Sequence, residues 1–572
     1  MTRLWGPVAT GAGLWRFALW APAQQAPMLE VEGAALVPLI AGEDGWFHGD
    51  ALAYPGTRYR FHLDDGLVVP DPASRAQSGG VHGWSVVDDP GDYDWRAGEW
   101  RGRPWEEAII QELHAGLCGG FRGLADDLPR LAEIGITAIE LMPVNAFGGT
   151  RGWGYDGVLP FAPAESYGTP AELRALVDRA HELGLMVLLD VVYNHFGPDG
   201  NYLGAYAPGF FDAEVDTPWG GAVAVDQPPV AAYFRENVAM WLEEYRFDGL
   251  RFDAVHAIGN PAFLDALAKN VRARLPDRHI HLILENEHND AARLAPGLYD
   301  AQWNDDFHNV LHVLLTDETS AYYADFADRP AKRLARCLSQ GFIYQGEPSP
   351  NQDGKPRGSP SGHLPPTVFV TFLQNHDQVG NRAMGERLTL LTDTARLRAA
   401  TALLLLSPQI PLFFMGDERG SQSPFLFFTD FHDDLADAVR EGRRREFAKF
   451  DAFRDEAARA RIPDPNAGDT FAASRPQPGP DAEAWEACYR HLIALRTAMI
   501  VPHLRGTSSL GAEVLGDKAV SAAWRLGDGS VLTVAINLGE EGVSFPAQSG
   551  SPVFARGEAG GPASFAAWIT PA

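Results

Sequence analysis

Gly249-Leu-Arg-Phe-Asp-Ala-Val-His256 decides how the rest of the chain is read. A short apolar run, of the length of a buried strand, ends in an acid, Asp253, with an arginine two residues earlier. Alternate residues of a strand share a face, so Arg251 and Asp253 point the same way. Two later runs also end in acid: Ile280-His-Leu-Ile-Leu-Glu285 and Thr367-Val-Phe-Val-Thr-Phe-Leu-Gln-Asn-His-Asp377. Three buried strands that finish in carboxylates converge those acids on one pocket. Hydrolysis of a glycosidic bond needs such a set, with one acid to attack, one to protonate and others to hold a distorted ring.

Outward from that stretch the chain alternates strand and helix. Strands are expected at 108–113, 138–142, 186–192, 250–255, 280–284, 299–303, 368–373 and 410–415. Helices are expected at 124–133, 170–183, 230–244, 261–274, 307–315, 392–406 and 482–497. Such alternation argues for parallel β/α units, and eight strands close a barrel. The expected fold class is α/β, a (β/α)8 TIM barrel over residues 93–502. The strands end in polar residues: His114, Asn145, Asn194 with His195, Asp253, Glu285, Asp305, Asp377 and Asp417. In such a barrel those ends open on one face, where active sites lie. Any one of them alone reads equally well as a helix cap.

The flanks read differently. Residues 1–92 carry short runs at Leu14–Trp20, Met28–Val31, Ala35–Pro38 and Tyr59–Leu63, separated by Gly, Pro and Asp, the pattern of a small β-sandwich. Residues 503–572 lose helical period. Val520–Trp524 and Ser530–Ile536 flank an Asp528-Gly529 turn, which marks a small antiparallel C-terminal β-domain.

Composition narrows the partners. The net charge of -28 excludes nucleic acid, whose phosphates it repels, and anionic membrane surfaces. No apolar run reaches the roughly 18 residues of a membrane span. The three cysteines, Cys118, Cys337 and Cys488, are odd in number and widely spaced. That is neither a disulfide framework nor a zinc site, and it fits a cytoplasmic protein. Leu14–Ala21 reads as a strand, not as the core of a signal peptide. No metal-ligand motif is present: there is no His-Glu-x-x-His, and His279-Ile-His281 opens a strand at the wrong end of the barrel.

Four segments, Asp190-Val-Val-Tyr-Asn-His195, Leu250-Arg-Phe-Asp-Ala-Val-His256, Leu284-Glu285 and Gln374-Asn-His-Asp377, stand in an order that resembles the α-amylase superfamily of glycoside hydrolases. The resemblance implies a retaining enzyme in which Asp253 is the nucleophile, Glu285 the general acid/base and Asp377 the carboxylate that steadies the distorted sugar. It implies substrate contacts at Tyr155 and Trp153, at His195 and His376, and at Arg251 and His256. It implies no cofactor, and it matches Asp190 to a supporting acid. Phe17-Ala-Leu-Trp-Ala-Pro looks like the sandwich domain that precedes the barrel in branching and debranching members. Further segments look closest to the maltooligosyltrehalose trehalohydrolases of that superfamily: Arg151–Gly157, Tyr193–Leu203, Gln302–His308, Gly341–Glu347 and Pro424–Asp430. This implies maltooligosyl trehalose as substrate and trehalose as product, with Asp306 a candidate hydroxyl partner in the leaving-group end of the cleft. Asn286-Glu287-His288 after the acid departs from that family's pattern and touches the rim. Branching or debranching chemistry uses the same acids, and a non-catalytic glucan-binding protein shares the fold. Those alternatives stay open at this point.

Overall fold

A computed structural model describes residues 3–217, 220–448 and 451–572. Its centre is a closed barrel of eight parallel strands: β1 (Ile110–Leu113), β2 (Ala138–Leu141), β3 (Met186–Val191), β4 (Gly249–Phe252), β5 (His281–Leu284), β6 (Ala301–Trp303), β7 (Phe369–Thr371) and β8 (Ile410–Phe414). They close in chain order, with β8 pairing to β1. These strands are buried throughout, which is why they read as apolar runs and not as alternation.

The inward phase of the strands explains where the acids come from. Ile110, Ala138, Met186, Leu188, Ile283, Ala301, Val370, Ile410 and Leu412 form an apolar plug inside the barrel. Two residues further along the same phase the lining turns polar: Glu112 on β1, Glu140 on β2, Asp190 on β3 and Glu285 past β5. On β4 the phase runs Gly249, Arg251, Asp253, and on β6 Ala301, Trp303, Asp305. Register confirms the layering, since Glu112 faces Glu140, Asp190 faces Arg251 and Arg251 faces Ile283.

Two sheets, of four and six strands, precede the barrel between Val8 and Val86. A five-stranded antiparallel sheet follows it between Ser508 and Thr570, and it contains the expected hairpin at Ala519–Arg525 and Val531–Asn537. Gly529 turns that hairpin with φ 88°, a conformation natural to glycine.

Several expectations need correction. β4 stops at Phe252 and does not reach Val255: Ala254 is left-handed (φ 39°, ψ 48°), and Val255–Ile258 is helical. Asn145 does not end a barrel strand, because it starts a hairpin, Asn145–Phe147 against Gly157–Pro163. The helix expected at 230–244 is α-helical over Pro228–Ala239 and continues as a π-turn over Met240–Glu244. Helices Pro330–Gln340 and Asp433–Phe447 lie outside the segments expected to be helical. The first was readable, for its buried Ala331, Leu334, Ala335 and Leu338 recur at helical spacing.

Gly249 fits where no side chain does. A Cβ there would lie 2.3 Å from the His281 carbonyl oxygen and 2.8 Å from Leu188. The first of these is backbone of the neighbouring strand and has no room to move. Gly249→Ala is therefore expected to cost about 1–3 kcal/mol, read as a lower midpoint in thermal unfolding together with lost activity.

Candidate active site

Arg251 is the hub of the site. Its side chain is 0% exposed, and its Nη1 donates to Asp190 Oδ2 at 2.7 Å and to Asp253 Oδ1 at 2.8 Å. Its Nη2 lies 3.5 Å from Glu285 Oε2. The guanidinium rests 4.1 Å over the Trp303 ring, a cation–π contact strengthened by the absence of water. The expectation of a substrate contact at Arg251 is thus corrected: the group lies beneath the carboxylates and organises them.

Asp253 is held on both oxygens. Oδ1 takes Arg251, and Oδ2 accepts from Asn194 Nδ2 at 2.9 Å, which also donates to the Asp253 carbonyl at 3.0 Å. Asn194 Oδ1 pairs in turn with His195 Nδ1. Glu285 Oε2 accepts the Ala254 N–H at 2.5 Å. That N–H is available because Ala254 turns left-handed straight after Asp253. Such strain in a non-glycine residue costs of order 1–3 kcal/mol and clusters at functional sites.

Burial pushes the Glu285 carboxyl up to about 8; Arg251 opposes this, while Asp253, Asp305 and Asp377 add to it. Glu285 therefore holds a proton at neutral pH. Burial also raises Asp190 to about 6 against the pull of Arg251. Asp305 is raised to about 7 by burial and then by Asp377.

The expected aromatic and histidine residues divide into two groups. Tyr155 donates to Asp190 Oδ2 at 2.6 Å, and its ring stacks on His376 at 5.1 Å. His195 is covered, and burial lowers its basicity. His256 stands at the rim, where Nδ1 accepts the Glu287 N–H at 3.4 Å and the ring lies 5.3 Å from His288. Trp153 departs from expectation. It is 7% exposed, stacks on Phe425 at 5.0 Å, donates to the Leu426 carbonyl and sets its edge against His376. It packs the wall behind the histidine, so the expected substrate contact at Trp153 is corrected to a packing role.

Asp306 is also corrected. It is 0% exposed; Oδ2 accepts from Asn289, from the Ile343 N–H at 2.7 Å and from the Tyr344 N–H, and Oδ1 pairs with Arg357 at 3.1 Å. One helical residue earlier, Asp305 faces the cleft instead. It lines a cavity of about 350 Å³ with Glu285, Asp377, Asn309, Tyr322, Asn351, Gln352 and Arg357. Most of these come from the long β6–β7 connection, which beyond Asp305 carries no strand-end signal. Asp430, quoted above only for resemblance, has a mechanical role: it accepts from Thr150 N–H and Oγ at 2.8 Å each and pairs with Arg151. That clamp fixes the loop that presents Tyr155.

A parallel barrel with these carboxylates on the ends of its strands is a glycoside-hydrolase barrel of the α-amylase type. The family model for the alpha amylase catalytic domain matches residues 77–206, and one described as a domain of unknown function (DUF3459) matches residues 507–568. A crystal structure from Salmonella typhimurium, provisionally described as an alpha amylase, superposes with a TM-score of 0.94 at 46% identity over 100% of both chains. Malto-oligosyltrehalose trehalohydrolase of Deinococcus radiodurans is 39% identical over 91% of this chain and 89% of its own. That of Saccharolobus solfataricus is 42% identical over 75% and 78%. The chain belongs to the malto-oligosyltrehalose trehalohydrolase family and is a glycosidase of the α-amylase superfamily. A branching enzyme of Aliivibrio fischeri matches only 35% of this chain.

Removing the hub should cost more than any single hydrogen bond. Arg251→Met leaves Asp190 and Asp253 without their buried counter-charge, a loss of about 3–5 kcal/mol. The expected readout is a midpoint of chemical unfolding well below that of the wild type; an unchanged midpoint contradicts the assignment of the hub.

Proposed function

We propose that this chain hydrolyses the α-1,4 bond next to the terminal trehalose unit of maltooligosyl trehalose and releases trehalose, with no cofactor. Asp253, held in place by Arg251 and Asn194, attacks the anomeric carbon. Glu285 gives its proton to the departing oxygen. Loss of that proton leaves Glu285 as the base that activates water, which hydrolyses the glycosyl-enzyme with net retention. Asp377, open to the cleft, holds hydroxyls of the distorted ring.

The observation that carries the substrate reading is the cavity beside the acid. It is lined by Glu285, the group proposed to protonate the departing oxygen, and by Asp377, which supports a leaving group seated there. Its volume, about 350 Å³, is at the small end of ligand pockets, which run from about 300 to 1,000 Å³. Its walls mix amide, carboxyl, guanidinium and phenol groups with apolar surface that includes Phe326. Trehalose has no reducing end, so it must be recognised through hydroxyls on both rings, and this lining supplies partners for them. A leaving group that pairs with fewer of them leaves buried polar groups unmatched, which is costly. A cytoplasmic setting is supported by the three unpaired cysteines, and among the described residues no helix is long and apolar enough to cross a membrane.

The test is to incubate the protein with maltooligosyl trehalose and, separately, with maltopentaose, and to identify the sugars released. Trehalose should appear, with kcat/KM about tenfold or more above that for maltopentaose. Equal rates, or transferred branches, overturn the substrate reading. The Glu285 proton also sets a pH limit. The raised group is protonated below about pH 8 and ionised above it, so hydrolysis should fall on the alkaline side through that value, by about tenfold per unit.

A further inference from the structure

Glu112 ends the inward face of β1, and both its oxygens are engaged by one residue. Oε2 accepts the His376 backbone N–H at 3.0 Å, and Oε1 pairs with His376 Nδ1 at 2.5 Å. Both side chains are buried. The opposite edge of the ring, Nε2, lies 3.4 Å from Asp377 Oδ1. Asp377 is 42% exposed and belongs to the cleft wall. The ring is packed by Tyr155, by the edge of Trp153 and, tilted at 6.1 Å, by Trp303. An imidazole between two carboxylates satisfies both only by donating from both nitrogens, and only the imidazolium does that.

We propose that Glu112 is a positioning residue for the hydrolysis: it anchors His376 as an imidazolium and through it fixes where Asp377 stands in the cleft. The proposal rests on the assignment of Asp377 to the cleaved sugar. Neither Glu112 nor His376 needs to touch the substrate for this.

The charges around the ring support it. Burial by itself would lower the basicity of His376, but Asp377 and then Glu112 outweigh burial and raise it to about 9, with Arg251 on β4 opposing. From β2, Glu140 also faces this region; burial, then Asp190 and Glu112, push it well above the usual carboxyl range, so it is neutral. His114, further along β1, is pushed down to about 4 by burial and is neutral too. Glu112 and Asp377 are thus the anions that keep the ring charged, and only Glu112 sits on a barrel strand. A glutamine in its place keeps the volume and one acceptor oxygen but loses the charge. Burial and Arg251 then favour the neutral ring, which cannot donate to both neighbours.

The experiment compares Glu112→Gln, His376→Gln, the double variant and Asp377→Asn on maltooligosyl trehalose across pH. With Glu112→Gln, kcat should fall about tenfold or more with little change in KM, because Asp377 acts mainly on the distorted sugar. Its alkaline limb, which Glu285 sets in the wild type, should move toward acid, since the ring now loses its proton before Glu285 does. The double variant should be no worse than His376→Gln alone, as expected of residues that act through each other. Additive losses, or a lower kcat with an unmoved pH profile, overturn the proposal. Full activity of Asp377→Asn overturns instead the site assignment beneath it. Imidazole NMR of the wild-type protein gives a test that needs no variant: His376 should carry protons on both nitrogens at neutral pH, and a neutral His376 sinks the idea.

Discussion

A single guanidinium sealed inside the barrel sets the terms for everything above it. Arg251 is cut off from bulk solvent, and a lone buried cation is costly enough to demand anions within reach. Asp190, Asp253 and Glu285 meet that demand at 2.7, 2.8 and 3.5 Å. With one positive charge among three acids, not all can ionise at once. The acid with the longest contact to the guanidinium, Glu285, keeps its proton. Burial raises Glu285 first, and the neighbouring acids add to it against the pull of Arg251, so its environment fits it to the acid's role.

The rest of the site follows a division of labour between strand ends and loops. The barrel carries the acids: Asp253 and Glu285 directly follow short, paired strands over an apolar plug, and Asp377 stands in the short helix His376–Gly380 beyond β7. The wall of the cavity beside Glu285 comes mostly from the connection between β6 and β7, including the hairpin of Glu347–Ser349 and Lys355–Arg357 with Gln352 between its arms. Chemistry and selectivity are therefore encoded in different parts of the chain.

That division also explains what could be read from residues alone. The strands, the barrel closure and the convergence of Asp253, Glu285 and Asp377 were legible because apolar runs ending in acid are local patterns. The break at Ala254 was not, since a left-handed alanine is imposed by the Glu285 contacts across the strand gap and not by its own sequence. Asp305 and Asp306 could not be told apart by position: both open a helix, and only a turn of about 100° per residue sends one into the cleft and the other into the Asn289 and Arg357 network. Arg251 and Trp153 were assigned to the sugar by resemblance, which reports position along the chain but not depth below the surface. The role of Asp430 as a clamp required knowledge of what lies across the fold.

The Asp430 clamp has a consequence for the order in which the molecule becomes competent as it is made. The loop that presents Tyr155 leaves the ribosome long before its anchor, which lies 280 residues later in the chain. Until that anchor emerges, Thr150 and Arg151 have no partner there, and the tyrosine has no fixed perch above Asp190. Asp253 and Glu285 are by then already synthesised. A nascent or prematurely terminated chain therefore holds the acids without the ordered floor that a sugar would rest on. The long-range clamp works as a completion check: the loop that carries Tyr155 finds its anchor only after nearly all of the barrel has been translated.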